Sequence, residues 1–157
     1  MSLHFELVTP ERTVFKKAID QVTLPTSMGE ITILANHLPL VASLVPGVAR
    51  LKTGSEEEEV AVSGGFIEVG RDSVRVLADT AERGEELDLS VIEEAKKRAE
   101  QVMKETVKSD DVSFAAAAAA LERELARFRV ARKHAGRRRG VTPTMNDASI
   151  PMDQNES

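Results

Sequence analysis

The sequence predicts an α+β chain: an N-terminal antiparallel β-sandwich of about eight to ten short strands, then a C-terminal antiparallel two-helix hairpin and a disordered tail. Three observations carry this. Apolar residues alternate with polar ones up to about residue 86. Ala- and Arg-rich segments with apolar steps of three and four follow, and the end of the chain is polar and aperiodic. The corresponding divisions are 1–86, 87–135 and 136–157.

In the first division Leu3, Phe5 and Leu7 alternate with His4 and Glu6, Ile31 and Ile33 flank Thr32, Val60 and Val62 precede Ser63, and Val74 and Val76 flank Arg75. Such alternation marks strands with one buried face. Turn signals separate the runs at short intervals, namely Thr9-Pro10, Pro25 to Gly29, Pro39, Pro46-Gly47, Thr53-Gly54-Ser55 and Arg71-Asp72. None of the runs is long. Many short strands without crossover helices fit a sandwich or a flattened barrel. Gly64-Gly65 continues into the strand-like Phe66-Ile67-Glu68-Val69 and reads as a bulge or tight connection, because a phosphate loop needs a helix after it. The acidic run Glu56 to Glu59 reads as a solvated hairpin tip.

The helical division opens at Asp88 or Ser90, where Ser90 and Glu93 have capping-box spacing. Ile92, Ala95, Ala99, Val102 and Thr106 then form one stripe. After Ser109-Asp110-Asp111, a second stripe runs through Phe114, Ala118, Leu121, Leu125 and Phe128. Two such stripes across a short polar loop predict a hairpin with an interdigitating seam. Ala115 to Ala120 strengthens the second helix, which Gly136 is expected to end. The segment is too polar for a buried helix and too apolar along one face to stand alone, so it reads as a movable arm. The tail, with Pro143 and Pro151, reads as disordered.

Charge is divided unevenly. Residues 1–86 hold 8 Lys/Arg against 14 Asp/Glu, residues 87–157 hold 13 against 12, and Leu121 to Arg139 holds 8 basic residues against Glu122 and Glu124. An acidic body therefore carries a basic arm, and eight cations exceed what pairing within the helix can use. With 0 cysteines there is no disulfide and no thiolate chemistry, and the cytosol is the expected compartment. No apolar run approaches the roughly 20 residues of a membrane span, so membrane association is expected only through another protein. His4 and His134 lack the neighbours a catalytic arrangement requires. With 0 Trp, 0 Tyr and a net charge of −5, nucleic acid is not the expected partner. The residues alone leave a partner-binding arm and a ligand sensor with a helical lid both open.

Three strings resemble one family. Gly29-Glu30-Ile31-Thr32-Ile33-Leu34-Ala35-Asn36-His37-Leu38-Pro39-Leu40 is similar to the stretch ending in H-x-P-L in the epsilon subunit of F-type ATP synthases of the bacterial type. Ser63-Gly64-Gly65-Phe66-Ile67-Glu68-Val69 and Val76-Leu77-Ala78-Asp79-Thr80-Ala81 resemble its SGG-x-x-E-V and V-L-A-D-T-A segments. Asp111-Val112-Ser113-Phe114 resembles the start of its second helix, and the likeness spans about residues 3–134. It implies a non-catalytic rotor subunit of the central stalk, bound to the gamma subunit and the c-subunit ring, peripheral on the cytoplasmic face of the inner membrane. It also implies coupling of ion flow to ATP synthesis, and inhibition of ATP hydrolysis when the hairpin extends to the catalytic beta subunits.

The resemblance assigns residues as well. Glu30 and His37 match positions that face the c-ring, on what reads here as a polar loop between Gly29 and Pro39. Arg123, Arg127, Arg129, Arg132 and Lys133 match the basic face that meets beta. Some members bind ATP through an I/L-D-x-x-R-A motif, with which Asp88, Arg98, Arg123 and Arg127 would be associated. Here Val91 and Ile92 stand in the Arg and Ala slots. One phosphate-binding guanidinium is lost and a bulky side chain added, so ATP binding is expected to be weak or absent, with no other cofactor.

Overall fold

The structure, a computed structural model, describes residues 2–107 and 110–140, with side chains described through Arg138. Eight strands come first: β1 (Leu3–Val8), β2 (Thr13–Ile19), β3 (Gln21–Thr26), β4 (Gly29–Leu34), β5 (Leu40–Ser43), β6 (Gly47–Thr53), β7 (Glu56–Val69) and β8 (Ser73–Arg83). A 3-10 turn, Gly84–Glu86, leads into α1 (Leu89–Thr106) and α2 (Asp111–Gly140). The hydrogen-bonded order is β2-β1-β8-β7-β6-β3-β4, with β5 pairing β7. The sheet folds over on itself around Leu3, Phe5, Leu7, Ile19, Val22, Leu24, Ile33, Leu51, Val60, Val62, Ile67 and Val76, each no more than 1% exposed. The alternating runs are thus the walls of one core.

Two strands are longer than expected: β7 has 14 residues and β8 has 11. One backbone device explains both. Residues 56–62 of β7 pair with β6 and residues 66–69 pair with β5, so the strand turns a corner between them at Gly64 and Gly65. On β7 the buried positions shift from Val60 and Val62 to Ile67 and Val69, and on β8 from Val74, Val76 and Ala78 to Ala81. Alternation slips by one at the corner, which keeps the apolar side inward on both limbs. Gly65 has φ 113°, and a Cβ there would lie 1.8 Å from the Leu77 carbonyl oxygen. Gly65→Ala is therefore expected to cost about 3 kcal/mol or more, read as a shift in urea unfolding. The expectation of antiparallel pairing throughout also needs correction, because β1 runs parallel to β8. The first strand inserts between β2 and β8 and so closes the core along that side.

Asp88 caps α1, its Oδ1 accepting from the amides of Ser90 at 3.0 Å and Val91 at 3.4 Å, so the cap is Asp88 rather than Ser90. Asp110 caps α2 through the Ser113 amide at 2.7 Å. Phe114, Ala118, Leu121, Leu125 and Phe128 are not deeply buried, and the Lys96 ammonium sits 4.5 Å from the centre of the Phe128 ring. Helix α2 does not stop at Gly136 but continues to Gly140, 30 residues or roughly 45 Å in all. A mid-helix glycine costs only about 1 kcal/mol relative to alanine, and Arg137 beyond it is tied to the sandwich, donating to the Glu57 carbonyl oxygen at 2.9 Å. The expected disorder from residue 141 onward lies outside the described residues.

Candidate functional site

Two surfaces on the sandwich have the makings of binding sites. The first lies beneath α2. Residues Glu57, Glu59 and Ala61 of β7 share one side, and Ala61 pairs with Glu82 of β8. On this side Val48 and Ala61 meet Ala126 and Val130, with Leu87 at the margin. Around that small apolar contact the carboxylates take up helix cations. Arg127 approaches Glu82 with Nε at 3.0 Å and Nη2 at 3.1 Å, and its Nη1 donates to Glu124 at 3.0 Å. Lys133 Nζ lies 2.6 Å from Glu59 Oε1 and 3.0 Å from Glu57 Oε1. The acidic run is therefore no free hairpin tip: its alternate members hold α2, while Glu58, between them, pairs with Lys17. Sequence reasoning missed this because the partners lie 74 and 76 residues apart. The available signal was Ala126, Val130, Lys133 and Arg137 at steps of four and three, a second stripe on the same helix.

Protonation follows from these contacts. The Lys133 hydrogen bond, assisted by the charges of Lys133, Arg50 and Arg137, holds the Glu57 carboxyl below its ordinary value despite some desolvation. The Lys133 ammonium is raised, first by Glu59 and then by Glu57, against desolvation. Burial works against the Arg127 charge, but Glu82 and Glu124 outweigh it and the guanidinium is raised. A depressed carboxyl stabilises docking above its ordinary pKa of 4.5 and loses that contribution as pH falls through the lowered value. The raised ammonium contributes fully below 10.5 and stops contributing as pH climbs through its higher value. Energy transfer between a dye on the sandwich and one on α2 is expected to stay flat from about pH 5 to 10 and to fall in acid below the ordinary carboxylate range.

The other anticipated residues are scattered. Glu30 and His37 do not share a loop: Glu30 lies within β4, and His37 follows the turn at Ala35 and Asn36 that ends it, its amide donating to the Leu34 carbonyl oxygen at 3.3 Å. Glu30 pairs with Arg50 at 2.7 Å, and both line a cleft of about 220 Å³ together with Arg129. The His37 ring nitrogen Nδ1 lies 2.7 Å from the Leu38 carbonyl oxygen, and the Leu38 side chain beside it is 80% exposed. Arg123 Nε is 3.9 Å from Glu124, and Arg132 is exposed. Of the nucleotide set, Asp88 is engaged by its own helix, Arg127 by Glu82, and Arg98 is exposed. Among the described residues no group of His, Cys, Asp or Glu is arranged to hold a metal ion.

The second surface is the outer side of the strands away from α2. Lys16, Glu6, Arg75 and Glu68 lie side by side across β2, β1, β8 and β7, a ladder of alternating charge. In the next row Val8, Leu77 and Phe66 are neighbours, and Val41 of β5 lies opposite Glu68. Phe66 is 58%, Leu77 43% and Val41 73% exposed. An apolar row framed by paired charges is the composition of a protein interface, with an apolar centre and a polar rim.

Comparison with known proteins matches both divisions. Residues 2–84 match the family described as ATP synthase, Delta/Epsilon chain, beta-sandwich domain, and residues 85–132 match ATP synthase, Delta/Epsilon chain, long alpha-helix domain. The chain is 44% identical over 131 residues to the ATP synthase epsilon chain of Dehalococcoides mccartyi, covering 83% of this chain and 93% of that one. It is 42% identical over 130 residues to that of Halalkalibacterium halodurans, covering 83% and 97%. A chain in the mitochondrial ATP synthase of Euglena gracilis, solved with its OSCP, F1 and c-ring, superposes with a TM-score of 0.66 at 23% identity over 77% of this chain and 76% of that one, a likeness of fold. The chain therefore belongs to the delta/epsilon chain family of the ATP synthases, as a non-catalytic subunit built from a β-sandwich and a long-helix hairpin.

Proposed function

We propose that this chain is a rotor subunit of the central stalk of an F-type ATP synthase. It couples ion passage through the c-ring to ATP synthesis and restrains ATP hydrolysis with its hairpin. The observation that carries this reading is the uncovered sheet face, where Phe66, Leu77 and Val41 stand exposed within a ladder of charges. That surface suits the gamma subunit. Glu30, within β4, and His37, beyond the turn that follows it, serve as separate contact points for the c-ring rather than one loop. Arg123, Arg129 and Arg132 offer the released arm cations for an acidic part of beta, joined by Arg127 and Lys133 once these leave the sandwich. Among the described residues no helix is long and apolar enough to cross a membrane, and attachment at the cytoplasmic face of the inner membrane runs through these partners. Nucleotide binding to the hairpin is weak or absent, because Asp88 and Arg127 are otherwise engaged.

The direct test is size-exclusion chromatography of the purified chain with the gamma subunit. A stable co-eluting complex is expected. Separate elution at micromolar concentrations removes the rotor assignment and favours a free-standing sensor.

A further inference from the structure

We propose that the joint between hairpin and sandwich is an electrostatic latch, in which Glu57, Glu59 and Glu82 hold Lys133 and Arg127 and set how readily the arm leaves the body. The apolar part of the joint is small. It consists of Val48, Ala61, Ala126 and Val130 with Leu87 at its edge, and the two alanines contribute little side chain. The sandwich core includes no residue of either helix, so nothing in that core requires the arm to stay. What fixes the register of α2 is charge. Arg127 donates to Glu82 through Nη2 and forms an ion pair with it through Nε, Lys133 is shared by two carboxylates, and Arg137 reaches the Glu57 carbonyl oxygen.

The two sides of the joint are mutually dependent. Glu57 and Glu59 stand two residues apart on the same side of one strand of an acidic body, so that removing Lys133 leaves two like charges side by side without the cation they share. On the helix, Arg127 and Lys133 cannot serve the sandwich and an external carboxylate surface at once. The body's own acids thus compete with any acidic partner for the same cations, and their number sets the balance. Lys133, with a side chain 40% exposed, is open to screening by salt, whereas Arg127 at 24% is more sheltered. The latch itself is independent of any effect on catalysis. Its consequence for ATP hydrolysis rests on the inhibitory reading above.

The chain contains 0 cysteines, so a single pair of spin labels can report the joint. Ser55→Cys and Arg138→Cys place them on the exposed turn before the acidic run and on the exposed end of α2. In the full chain at about 0.05 M salt, where the screening length is longest, one short separation is expected. Glu57→Gln with Glu59→Gln and Glu82→Gln is expected to shift the docked-to-undocked ratio by about tenfold toward long separations, as the loss of three modest ion pairs predicts. Removing the same number of charges with Glu11→Gln, Glu56→Gln and Glu94→Gln is expected to leave it unmoved. Lys133→Gln, which alters only a surface side chain, is expected to act in the same direction as the triple variant. A short separation that persists in both the triple and the Lys133 variants overturns the latch and assigns the joint to apolar contact. An equal shift in the control set overturns it too, as a matter of net charge.

In the assembled enzyme the triple variant is expected to hydrolyse ATP more slowly than the unaltered form. If the label distances lengthen while truncation at residue 88 leaves hydrolysis unchanged, the latch stands and the inhibitory reading falls.

Discussion

Deletion of residues 88–157 is expected to leave the chain able to join the gamma subunit and to raise ATP hydrolysis by the assembled enzyme. The physical ground is the independence of the sandwich. Its core cluster draws on no residue of either helix, and the apolar residues of the sandwich side that the helices cover at the joint are few, Val48, Ala61 and Leu87. The exposed row of Phe66 and Leu77 lies outside that joint. The gain in hydrolysis equals the reciprocal of the fraction of complexes whose arm is docked on the sandwich, about twofold if half of them are blocked. Steady-state hydrolysis of complexes assembled with the full and the truncated chain, each checked for stoichiometric incorporation, measures it. Equal rates would make the hairpin a structural element of the stalk.

The second large effect is expected at the uncovered face. Phe66→Glu combined with Leu77→Glu should abolish co-elution with gamma while leaving the sandwich folded. Both side chains point outward and are neighbours across β7 and β8. Introducing two carboxylates beside Glu68 forces unpaired charge into the middle of an interface, a loss of at least about a hundredfold in affinity for a central site. Thermal unfolding close to that of the unaltered chain would show that folding is intact. Arg132→Gln, exposed on the hairpin, is the control expected to leave the complex whole. A double variant that still co-elutes would move the gamma site elsewhere.

Much of this was legible in the chain. Leu3, Phe5 and Leu7 on one strand and Val74 and Val76 on another announce their buried side through alternation, and all five are core residues. The hairpin was legible from Phe114 to Phe128 because helical stripes are local. The less legible features share a physical cause. Gly64-Gly65 looks like an interruption, yet it is where one strand changes partners and slips its alternation by a residue, and pairing partners are remote in sequence. Gly136 looks like a stop, but its modest cost is overridden where Lys133 and Arg137 find β7. Glu56 to Glu59 looks solvated until the helix that covers half of it is in place. Glu30 and His37 read as one loop because Gly29 and Pro39 bracket them, although the alternation of Ile31, Thr32 and Ile33 already marks the strand that holds Glu30 apart from the turn before His37.

The long bent strand β7 carries Glu57 and Glu59 on one limb and Phe66 and Glu68 on the other. A single ribbon of backbone thus runs from the seat of the cationic helix, through the corner at Gly64 and Gly65, to the apolar row. Under the proposed rotor reading, one strand would then seat both the shaft and the docked lever, and a shift of either limb about the glycine corner would be felt at the other.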